Sequence, residues 1–566
     1  MRTFPRETAL YVLALLLGLA VRLIGLGAAP LSDLEAKWAL QALAVAKGSH
    51  PALGSQPAYI LLTSVLFFAY GAATNALARL IPALTGSALI LVPALFKDRL
   101  KPRPALILAF ALALEPGLVA LSRQAGSSIL ALTFLLAAWG FWESRVASWA
   151  GVLGALALLS GPSVWAGLLI LGLTWAIVQP FQGRVKPQPD GQSVAKERSD
   201  RRTAGWFTVG TIILGGTLFL TVPGGLGAWL ASVPEYLAGW THASDVSAGL
   251  MLFSLLAYQP LGLVLVLIAS ARGWIQGGRR VRRLSLWMLV GLLLALFYPT
   301  HQIDDLAWML IPFWALASLE LARSLDVRPA ERAEVLGVVA LSFLIFVFIW
   351  LDFLGLMQAR AAPDQTVMRV WLMIGSFFLL VVSLLLVAVG WSIRVARHGA
   401  VLGMAAALAL YSFAALMSAA GLRNIPDAVD LWHPGSTLPA SDLLLRTEQQ
   451  TSDWSKDEVN SQPVTIVGID SPALLWLLRD RTLDVTNVLG SSASPPMVIT
   501  IDQDNPTLAA GYRGQRLTWR RTPLWRQTAF RDWLSWLTFH QIPQDSEKLI
   551  LWVRSDLFLD STTPRP

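Results

Sequence analysis

The stretch Pro30-Leu31-Ser32-Asp33-Leu34-Glu35-Ala36-Lys37-Trp38 carries two carboxylates and directly follows the first long apolar segment of the chain. That segment, residues 8 to 26, is long enough to cross about 30 Å of hydrocarbon. A cleaved signal peptide is disfavoured, because Arg22 interrupts the apolar core and Pro30 would follow the cleavage site. We therefore predict an uncleaved first helix with the N-terminus inside, followed by an outer loop over 27 to 56.

The composition is that of a polytopic membrane protein. Of the 566 residues, 55% are hydrophobic and only 14% are charged, whereas soluble proteins carry about 25% charged residues. The net charge of +8 is spread over short basic clusters between apolar runs, a pattern that orients helices and implies no nucleic-acid partner. The absence of cysteine excludes disulfides, thiolate metal sites and a cysteine nucleophile. A divalent metal requirement stays open, with carboxylate, imidazole or carbonyl groups as the available ligands.

The placement of the basic clusters decides the topology. The apolar stretch 57 to 71 has only about 15 residues, a length more typical of an interfacial segment than of a span. If it crossed the membrane, the cluster over 97 to 103 would lie outside, against the positive-inside rule. We therefore predict a juxtamembrane helix there and thirteen transmembrane helices in all, over residues 8–26, 77–96, 104–121, 127–142, 147–160, 163–179, 206–223, 250–271, 285–299, 306–322, 334–354, 370–391 and 400–420.

With thirteen crossings, the basic clusters around 145, 184–202, 279–283, 323–332 and 394–397 all fall on the inner side. The predicted transmembrane domain covers 1 to 420, with a candidate catalytic outer loop over 27 to 76. Residues 421 to 566 are less hydrophobic and alternate β-branched runs with helical stretches, which predicts a small α/β domain. By parity this domain is extracytoplasmic. We predict strands over 464–469, 497–501 and 549–553, and helices over 471–480 and 528–539.

Asp33 and Glu35 are the candidate catalytic residues. They begin a moderately amphipathic stretch, 33 to 47, that we expect to lie as a helix along the outer interface. Ser32 and Glu35 also match the capping box S-x-x-E, so Glu35 is either a helix cap or a catalytic group. Asp33 is either functional or an aspartate favoured by the positive end of the helix dipole. Two residues apart on a helix, the carboxylates do not share a face.

Three cationic groups are candidates for binding a phosphate at the outer edge of the membrane. Arg79 and Arg123 are predicted at outer helix ends, where an arginine is either a substrate contact or an interfacial anchor. His301 lies in a short outer loop with Asp304 and Asp305, and this loop is either a metal or phosphate site or simply solvated. Few ionisable residues fall in the middle of predicted spans, which disfavours an ion-coupled carrier.

The layout resembles the GT-C membrane glycosyltransferases, in particular the protein O-mannosyltransferase-like group (glycosyltransferase family 39) and the lipid A aminoarabinose transferases. The resemblance covers nearly the whole chain and rests on these motifs: Asp33-Leu-Glu35-Ala, Pro57-Ala-Tyr59, Tyr70-Gly71, Ala78-Arg79-Leu80-Ile-Pro82, Glu115-Pro116 and Ser122-Arg123. In that family an aspartate of the first outer loop acts as a catalytic base or orients the acceptor. Here Leu34 separates the two acidic residues that are often adjacent in the family, and the Lys-Pro-Pro of some relatives is absent before Tyr59.

The resemblance implies a polyprenyl-phosphate sugar as donor, and a protein, lipid or glycan acceptor, at the outer face of the plasma membrane. Asp33 would then be the general base, with Arg79, Arg123 or His301 stabilising the departing phosphate. Two alternatives stay open, a flippase for lipid-linked saccharides and a catalytically inactive assembly subunit. A transporter is expected to place its functional charges near the bilayer midplane, whereas this sequence gathers them at one interface.

Overall fold

A computed structural model of the chain describes residues 6–179, 191–244, 246–325, 328, 331–357, 363–423, 429–433, 435–456, 462–490, 492–502 and 508–562. The first half of the helical part consists of α1 (Arg6–Leu23), α2 (Asp33–Ala46), α3 (Pro57–Tyr70), α4 (Asn75–Ala88), α5 (Val92–Leu95), α6 (Lys97–Leu100), α7 (Pro102–Leu114), α8 (Pro116–Ser122), α9 (Ile129–Glu143), α10 (Ala147–Leu158) and α11 (Ser163–Val178). A 3₁₀ turn, Leu89–Leu91, joins α4 to α5.

The second half consists of α12 (Gly191–Gly216), α13 (Gly224–Ala238), α14 (Ala248–Tyr258), α15 (Pro260–Ile275), α16 (Arg279–Phe297), α17 (Ala307–Ser324), α18 (Arg332–Met357), α19 (Pro363–Gly390) and α20 (Ile393–Ala419). A 3₁₀ turn, Ile303–Leu306, precedes α17. The predicted helix after Asp33 and the predicted helix over 57 to 71 are both present, as α2 and α3.

Five described helices are long and apolar enough to span a membrane, and there are seven such spans if each of two bent helix pairs counts as one. One pair, α7 with α8, bends by 57° at Glu115, and the other, α14 with α15, bends by 95° at Gln259. Both breaks precede a proline, which removes a backbone donor and clashes with the preceding turn. The predicted span over 250 to 271 corresponds to the second bent pair, and the break within it is a feature that the prediction did not include. The count of thirteen crossings stays a prediction.

The polar stretch predicted as a loop over 184 to 202 differs from the structure in its second half. Residues 191 to 202 form the first turns of α12, while 184 to 190 lie outside the described residues. An ion pair at i and i+4, between Glu197 and Arg201 at 2.6 Å, supports this polar helical end.

The C-terminal part is a five-stranded mixed sheet with helices, as the composition predicts. Its elements are α21 (Ser441–Lys456), β1 (Val464–Val467), α22 (Pro472–Leu477), β2 (Leu483–Thr486), β3 (Met497–Ile501), β4 (Tyr512–Pro523), α23 (Phe530–Phe539) and β5 (Gln544–Arg554). The strand order is β2-β1-β3-β5-β4, with β2, β1 and β3 parallel and β5 antiparallel to both of its neighbours. The three predicted strands and two predicted helices are present, whereas β2, β4 and α21 were not foreseen.

The helical part and the sheet share one hydrophobic core. A continuous cluster of buried side chains runs from Leu31 in the first loop, through the helices, to Val553 in β5. Trp432, Trp519 and Trp536 are among its largest fully buried members. This shared core fixes the C-terminal sheet against the first loop, which positions the candidate site between them.

Candidate active site at the first loop

Ser32 and Glu35 form the capping box that their spacing predicts. The Glu35 backbone N–H donates to Ser32 Oγ, and Glu35 Oε2 accepts from the Ser32 backbone N–H at 3.0 Å. Two N–H groups at the start of α2 are thereby satisfied. The interpretation of Glu35 as a helix cap is confirmed, and the cap fixes the point at which the first loop turns into α2.

Glu35 also forms a buried ion pair with Arg79. Arg79 Nε donates to Oε1 at 2.7 Å and Nη2 donates to Oε2 at 2.8 Å, and the two side chains are 8% and 9% exposed. The Ala125 N–H donates to Oε1 at 3.0 Å. Burial alone would raise the pKa of Glu35, but the Arg79 charge and the hydrogen bonds from Arg79, Ala125 and Ser32 outweigh it and lower that pKa. Glu35 is therefore held as an anion.

The remaining N–H groups of Arg79 donate to carbonyls of the first loop. Nη1 donates to the carbonyls of Leu26 and Ala29 at 3.3 and 2.8 Å, and Nη2 donates to that of Pro30 at 2.9 Å. With the two bonds to Glu35, these contacts match the five N–H groups of a guanidinium. In this conformation Arg79 ties the first loop to α4, and all of its N–H groups are bound to the protein.

Arg123 caps the C-terminal end of α1. Its Nη1 donates to the carbonyls of Val21, Arg22 and Ile24 at 2.8 to 2.9 Å, and its Nη2 donates to that of Gly25 at 3.2 Å. These carbonyls belong to the negative end of the helix dipole, which a cation stabilises. Burial, together with the neighbouring Arg79 charge, lowers the pKa of Arg123 to about 10, so it is still a cation at neutral pH.

His301 lies apart from these two arginines. Its Nδ1 donates to the Tyr298 carbonyl at 2.7 Å, so Nδ1 carries a proton. Nε2 is buried and has no hydrogen-bond partner among the described residues. The described contacts do not join His301 to Glu35, Arg79 or Arg123. Asp305, in the following 3₁₀ turn, accepts from the Gln302 N–H at 2.9 Å.

Asp33 lies at the seam between the first loop and the C-terminal sheet. Its Oδ1 accepts from Ser471 Oγ at 2.7 Å and from the Ala473 N–H at 3.0 Å, and its Oδ2 accepts from Arg520 Nη2 at 2.6 Å. The side chain is 34% exposed. Arg520 also pairs with Glu547 at 3.0 Å. Asp33 thus combines partial solvent access with three donors from the C-terminal domain.

Local backbone geometry brings those donors to Asp33. Ser471 caps α22, so the Ala473 N–H is one of the unpaired donors at the start of that helix. The pairing of β4 with β5 shifts register between Thr518 and Arg520. Such a bulge re-aims the side chains next to it, and Arg520 follows it directly.

A cleft of about 340 Å³ lies at the same seam, and Ala473, whose N–H binds Asp33, is part of its lining. Its walls combine the first loop and the start of α4 with the C-terminal domain, and its lining includes Asn75, Asp442, Ala473, Arg479 and Trp519. Trp519 Nε1 is buried and has no hydrogen-bond partner in the part of the chain that the structure describes. The volume is in the range of small-ligand sites, and carboxylate, amide, guanidinium and indole groups are suited to a polyhydroxylated ligand.

His433 is a neighbour of the ion pair that the sequence gave no reason to select. Burial lowers its pKa to about 4, with Glu35 opposing that shift and Arg79 and Arg123 adding to it. His433 is therefore a neutral imidazole at neutral pH. Gln124 holds the same segment, since its Nε2 donates to the Trp432 carbonyl at 2.8 Å.

The two helix breaks meet at a buried pair that sequence reasoning also missed. Gln259 Nε2 donates to Glu115 Oε1 at 2.5 Å, and both side chains are fully buried. Glu115 also accepts from the Leu118 N–H at the start of α8. Arg22 of α1 donates to the carbonyls of Leu112 and Ala113, in the last turn of α7, at 3.1 and 2.9 Å. At Glu115-Pro116 and at Gln259-Pro260 the sequence does signal a helix break, because a polar residue directly precedes a proline inside an apolar run.

No group of three or more histidine, aspartate or glutamate side chains is arranged to hold a metal ion within the described ranges.

No protein-family model matches the sequence, and no curated protein matches it. Among solved structures, it is similar to ArnT from Cupriavidus metallidurans bound to undecaprenyl phosphate, with a TM-score of 0.51 and 14% identity over 99% of this chain and 100% of that chain. It is also similar to apo ArnT from the same organism, with the same score and identity over 88% of this chain and 93% of that chain. ArnT is an aminoarabinose transferase of the GT-C fold.

The chain has the GT-C fold. The agreement extends over nearly its whole length, so it includes both the helices and the C-terminal sheet. The fold implied by the sequence motifs is thereby confirmed, and the first loop with Asp33 and Glu35 belongs to this GT-C architecture.

Proposed function

We propose that the chain is a membrane glycosyltransferase that moves a sugar from a polyprenyl-phosphate donor to an acceptor hydroxyl. The observation that carries this proposal is the end-to-end GT-C fold, shared with an ArnT structure that contains undecaprenyl phosphate. The carboxylate of Asp33 in the first loop, next to a polar cleft, supplies the chemistry that such a transfer requires.

In this mechanism Asp33 is the general base. The acceptor oxygen attacks the anomeric carbon while its proton passes to the Asp33 carboxylate. The bond between the anomeric carbon and the phosphate oxygen breaks, and its electron pair leaves with the lipid phosphate. Arg123 contributes positive potential to the site, although its N–H groups are bound to the protein, whereas the charge of Arg79 is balanced by Glu35. Direct displacement inverts the anomeric centre.

The proposed orientation has thirteen crossings, the N-terminus inside and the C-terminal domain outside the plasma membrane. The basic clusters support it, since they fall on one side under this count. The seam cleft would then open at the outer boundary of the bilayer, where a lipid-linked donor and a water-borne, protein or lipid acceptor can meet.

A catalytically inactive assembly subunit is a second candidate, and the bonding of the four charged residues favours it. Glu35, Arg79 and Arg123 make structural contacts, and Asp33 is bound by Ser471 and Arg520. For Asp33 to act as a base, at least one of these donors must give way to the acceptor hydroxyl.

Transfer of radiolabelled sugar from a panel of polyprenyl-phosphate donors to endogenous acceptors, in vesicles containing the full chain, tests the proposal. Asp33→Asn removes the base and is expected to reduce transfer by roughly 10²- to 10⁴-fold. Arg520→Gln breaks the same ion pair but keeps the carboxylate, and we expect it to retain transfer.

The two variants separate catalysis from docking. If Asp33 only anchors the C-terminal domain, both substitutions will have the same effect on transfer. That outcome, or normal turnover by Asp33→Asn, would remove Asp33 from the mechanism. Absence of transfer from every donor by folded wild-type protein would favour the inactive subunit.

A further inference from the structure

A second cleft, of about 420 Å³, lies at the other end of the helices from the first loop. The first turn of α17 lies near the first loop. Its Trp308 Nε1 donates to Ser163 Oγ at 3.1 Å, and Gly161, two residues before Ser163, packs against Gln56 of the first loop. The last turn of α17 lines the cleft through Glu320 and Arg323. An 18-residue helix is about 27 Å long, so the two sites are separated by roughly the thickness of the hydrocarbon core.

The cleft is basic. Five arginines line it, from the last turns of α15 and α17, the segment after α17 and the first turns of α20, namely Arg272, Arg323, Arg328, Arg394 and Arg397. Among the lining residues that the structure describes, two carboxylates, Glu320 and Glu331, accompany them. These described residues carry an excess of three positive charges when His398 is neutral.

Glu320 holds two of these arginines in place. Its carboxylate is 5% exposed and lies 2.9 Å from Arg272 Nη1 and 3.9 Å from Arg323 Nη1. In contrast, Arg394 and Arg397 are exposed and form no ion pair within the part of the chain that the structure describes. Two guanidinium groups without a carboxylate thus face a cavity whose other walls are already positive.

The positive-inside rule alone does not account for this arrangement. It favours arginine at inner helix ends but does not require several of them to line one concave surface. The run Arg279-Arg280-Val281-Arg282-Arg283 follows the same rule and does not line the cleft. Like charges gathered in one cleft repel each other, and their focused field attracts a counter-anion.

We propose that this cleft binds a phosphate-bearing anion, with Arg394 and Arg397 as its direct ligands and Glu320 positioning Arg272 and Arg323. Guanidinium groups donate to phosphate oxygens in pairs, which suits them to this ligand better than ammonium groups. The start of α20 adds the positive end of a helix dipole. Phosphate of this kind is present both in anionic phospholipid headgroups and as free phosphate or pyrophosphate, and basic pockets between membrane helices are suited to headgroups.

The test compares three full-length proteins purified in mild detergent: wild type, Arg394→Gln with Arg397→Gln, and the matched control Arg279→Gln with Arg280→Gln. Each is titrated with phosphatidylglycerol, cardiolipin, phosphatidylcholine, inorganic phosphate and pyrophosphate, and the lipid titrations are repeated in the presence of phosphate or pyrophosphate as a competitor. Binding is followed by native mass spectrometry and by the shift in thermal unfolding midpoint. We expect the cleft variant to bind about thirty-fold more weakly than wild type, and the control variant to bind as wild type.

The separate ligands identify the source of the phosphate. Binding of phosphatidylglycerol or cardiolipin without competition by free phosphate identifies a lipid headgroup, whereas competition by phosphate or pyrophosphate identifies a soluble anion. Either result supports the site. Equal affinities in all three proteins, equal losses in the two double variants, or equally tight binding of zwitterionic phosphatidylcholine would overturn it.

Discussion

The Glu35 carboxylate accepts bonds from Arg79, Ser32 and Ala125 in a site that solvent barely reaches. Glu35→Gln keeps the size of the side chain but leaves the Arg79 guanidinium buried without a counter-charge. Breaking a buried pair by removing one partner costs about 3–5 kcal/mol. We expect the free energy of unfolding to fall by that amount, as measured by denaturant unfolding of the purified protein in detergent.

Glu143→Gln is the matched control for that change. Glu143 pairs with Arg99 at 2.6 Å, but the two side chains are 31% and 56% exposed. Exposed pairs contribute about 0–1 kcal/mol. Similar losses in Glu35→Gln and Glu143→Gln would contradict a stabilising role for the buried pair.

The pH dependence of stability provides a second measurement of the same pair. Because the pKa of Glu35 is lowered in the folded protein, its contribution is present above the unfolded pKa of about 4.3 and is lost as pH falls toward the folded value. Wild type is therefore expected to lose stability more steeply than Glu35→Gln below about pH 4.3. Parallel curves for the two proteins would count against the ion pair.

At the scale of single residues, the sequence predicts hydrogen bonds within one turn but not those between residues that are far apart in the chain. The spacing of Ser32 and Glu35 is sufficient to predict the capping box, since both partners lie in one turn. Asp33, by contrast, binds Ser471 and Arg520, which are 438 and 487 residues away in the chain. No local pattern records such a contact, and Arg520 reaches it only through the irregular pairing of β4 with β5.

The breaks in two apolar helices form the main element-scale feature of the fold. Irregular backbone inside a bilayer needs internal hydrogen-bond partners. The Glu115 carboxylate is such a partner, since it accepts from the Leu118 N–H after the first break, and the Gln259 side chain from the second break donates to the same carboxylate. Gln259→Leu removes the donor and leaves Glu115 Oε1 buried without it, at a cost of about 1–3 kcal/mol. We expect that loss in the free energy of unfolding, again in detergent.

Gln276→Leu, at the exposed end of α15, is the control for that substitution. Surface changes of this kind stay within about 0.5 kcal/mol. If the two leucine variants unfold at the same denaturant concentration, the pair between the broken helices does not stabilise the fold.

Hydrophobicity predicts most of the helices but not their breaks or the polar strand. An averaged apolar window over 250 to 271 conceals Gln259-Pro260, although the proline itself signals the break. β4 has no apolar alternation, with exposed residues over most of its first half. Its strand conformation comes from eleven paired positions along β5, so tertiary pairing outweighs its local sequence.

At the scale of the whole molecule, the chain concentrates charge at two ends of an apolar scaffold. The first-loop end combines Asp33 with a polar cleft, while the other end of α17 opens into the basic cleft. The C-terminal domain contacts the segment between α3 and α4 through bonds from Arg479 to the Ala73 carbonyl, at 2.6 and 3.0 Å, and contacts Asp33 through Ser471 and Arg520. Access of a ligand to Asp33 therefore depends on the position of the C-terminal domain relative to the first loop.

The proposed orientation of that scaffold can be tested directly, because the chain contains no cysteine. Val488→Cys places a thiol on the C-terminal domain at a position that is 78% exposed, and Arg280→Cys places one at the start of α16. If the domain lies outside, a membrane-impermeant maleimide will label Val488→Cys in sealed right-side-out vesicles and will label Arg280→Cys only after permeabilisation. The reverse pattern would invert the topology and move the seam cleft to the cytoplasm, where the proposed outer-face transfer could not take place.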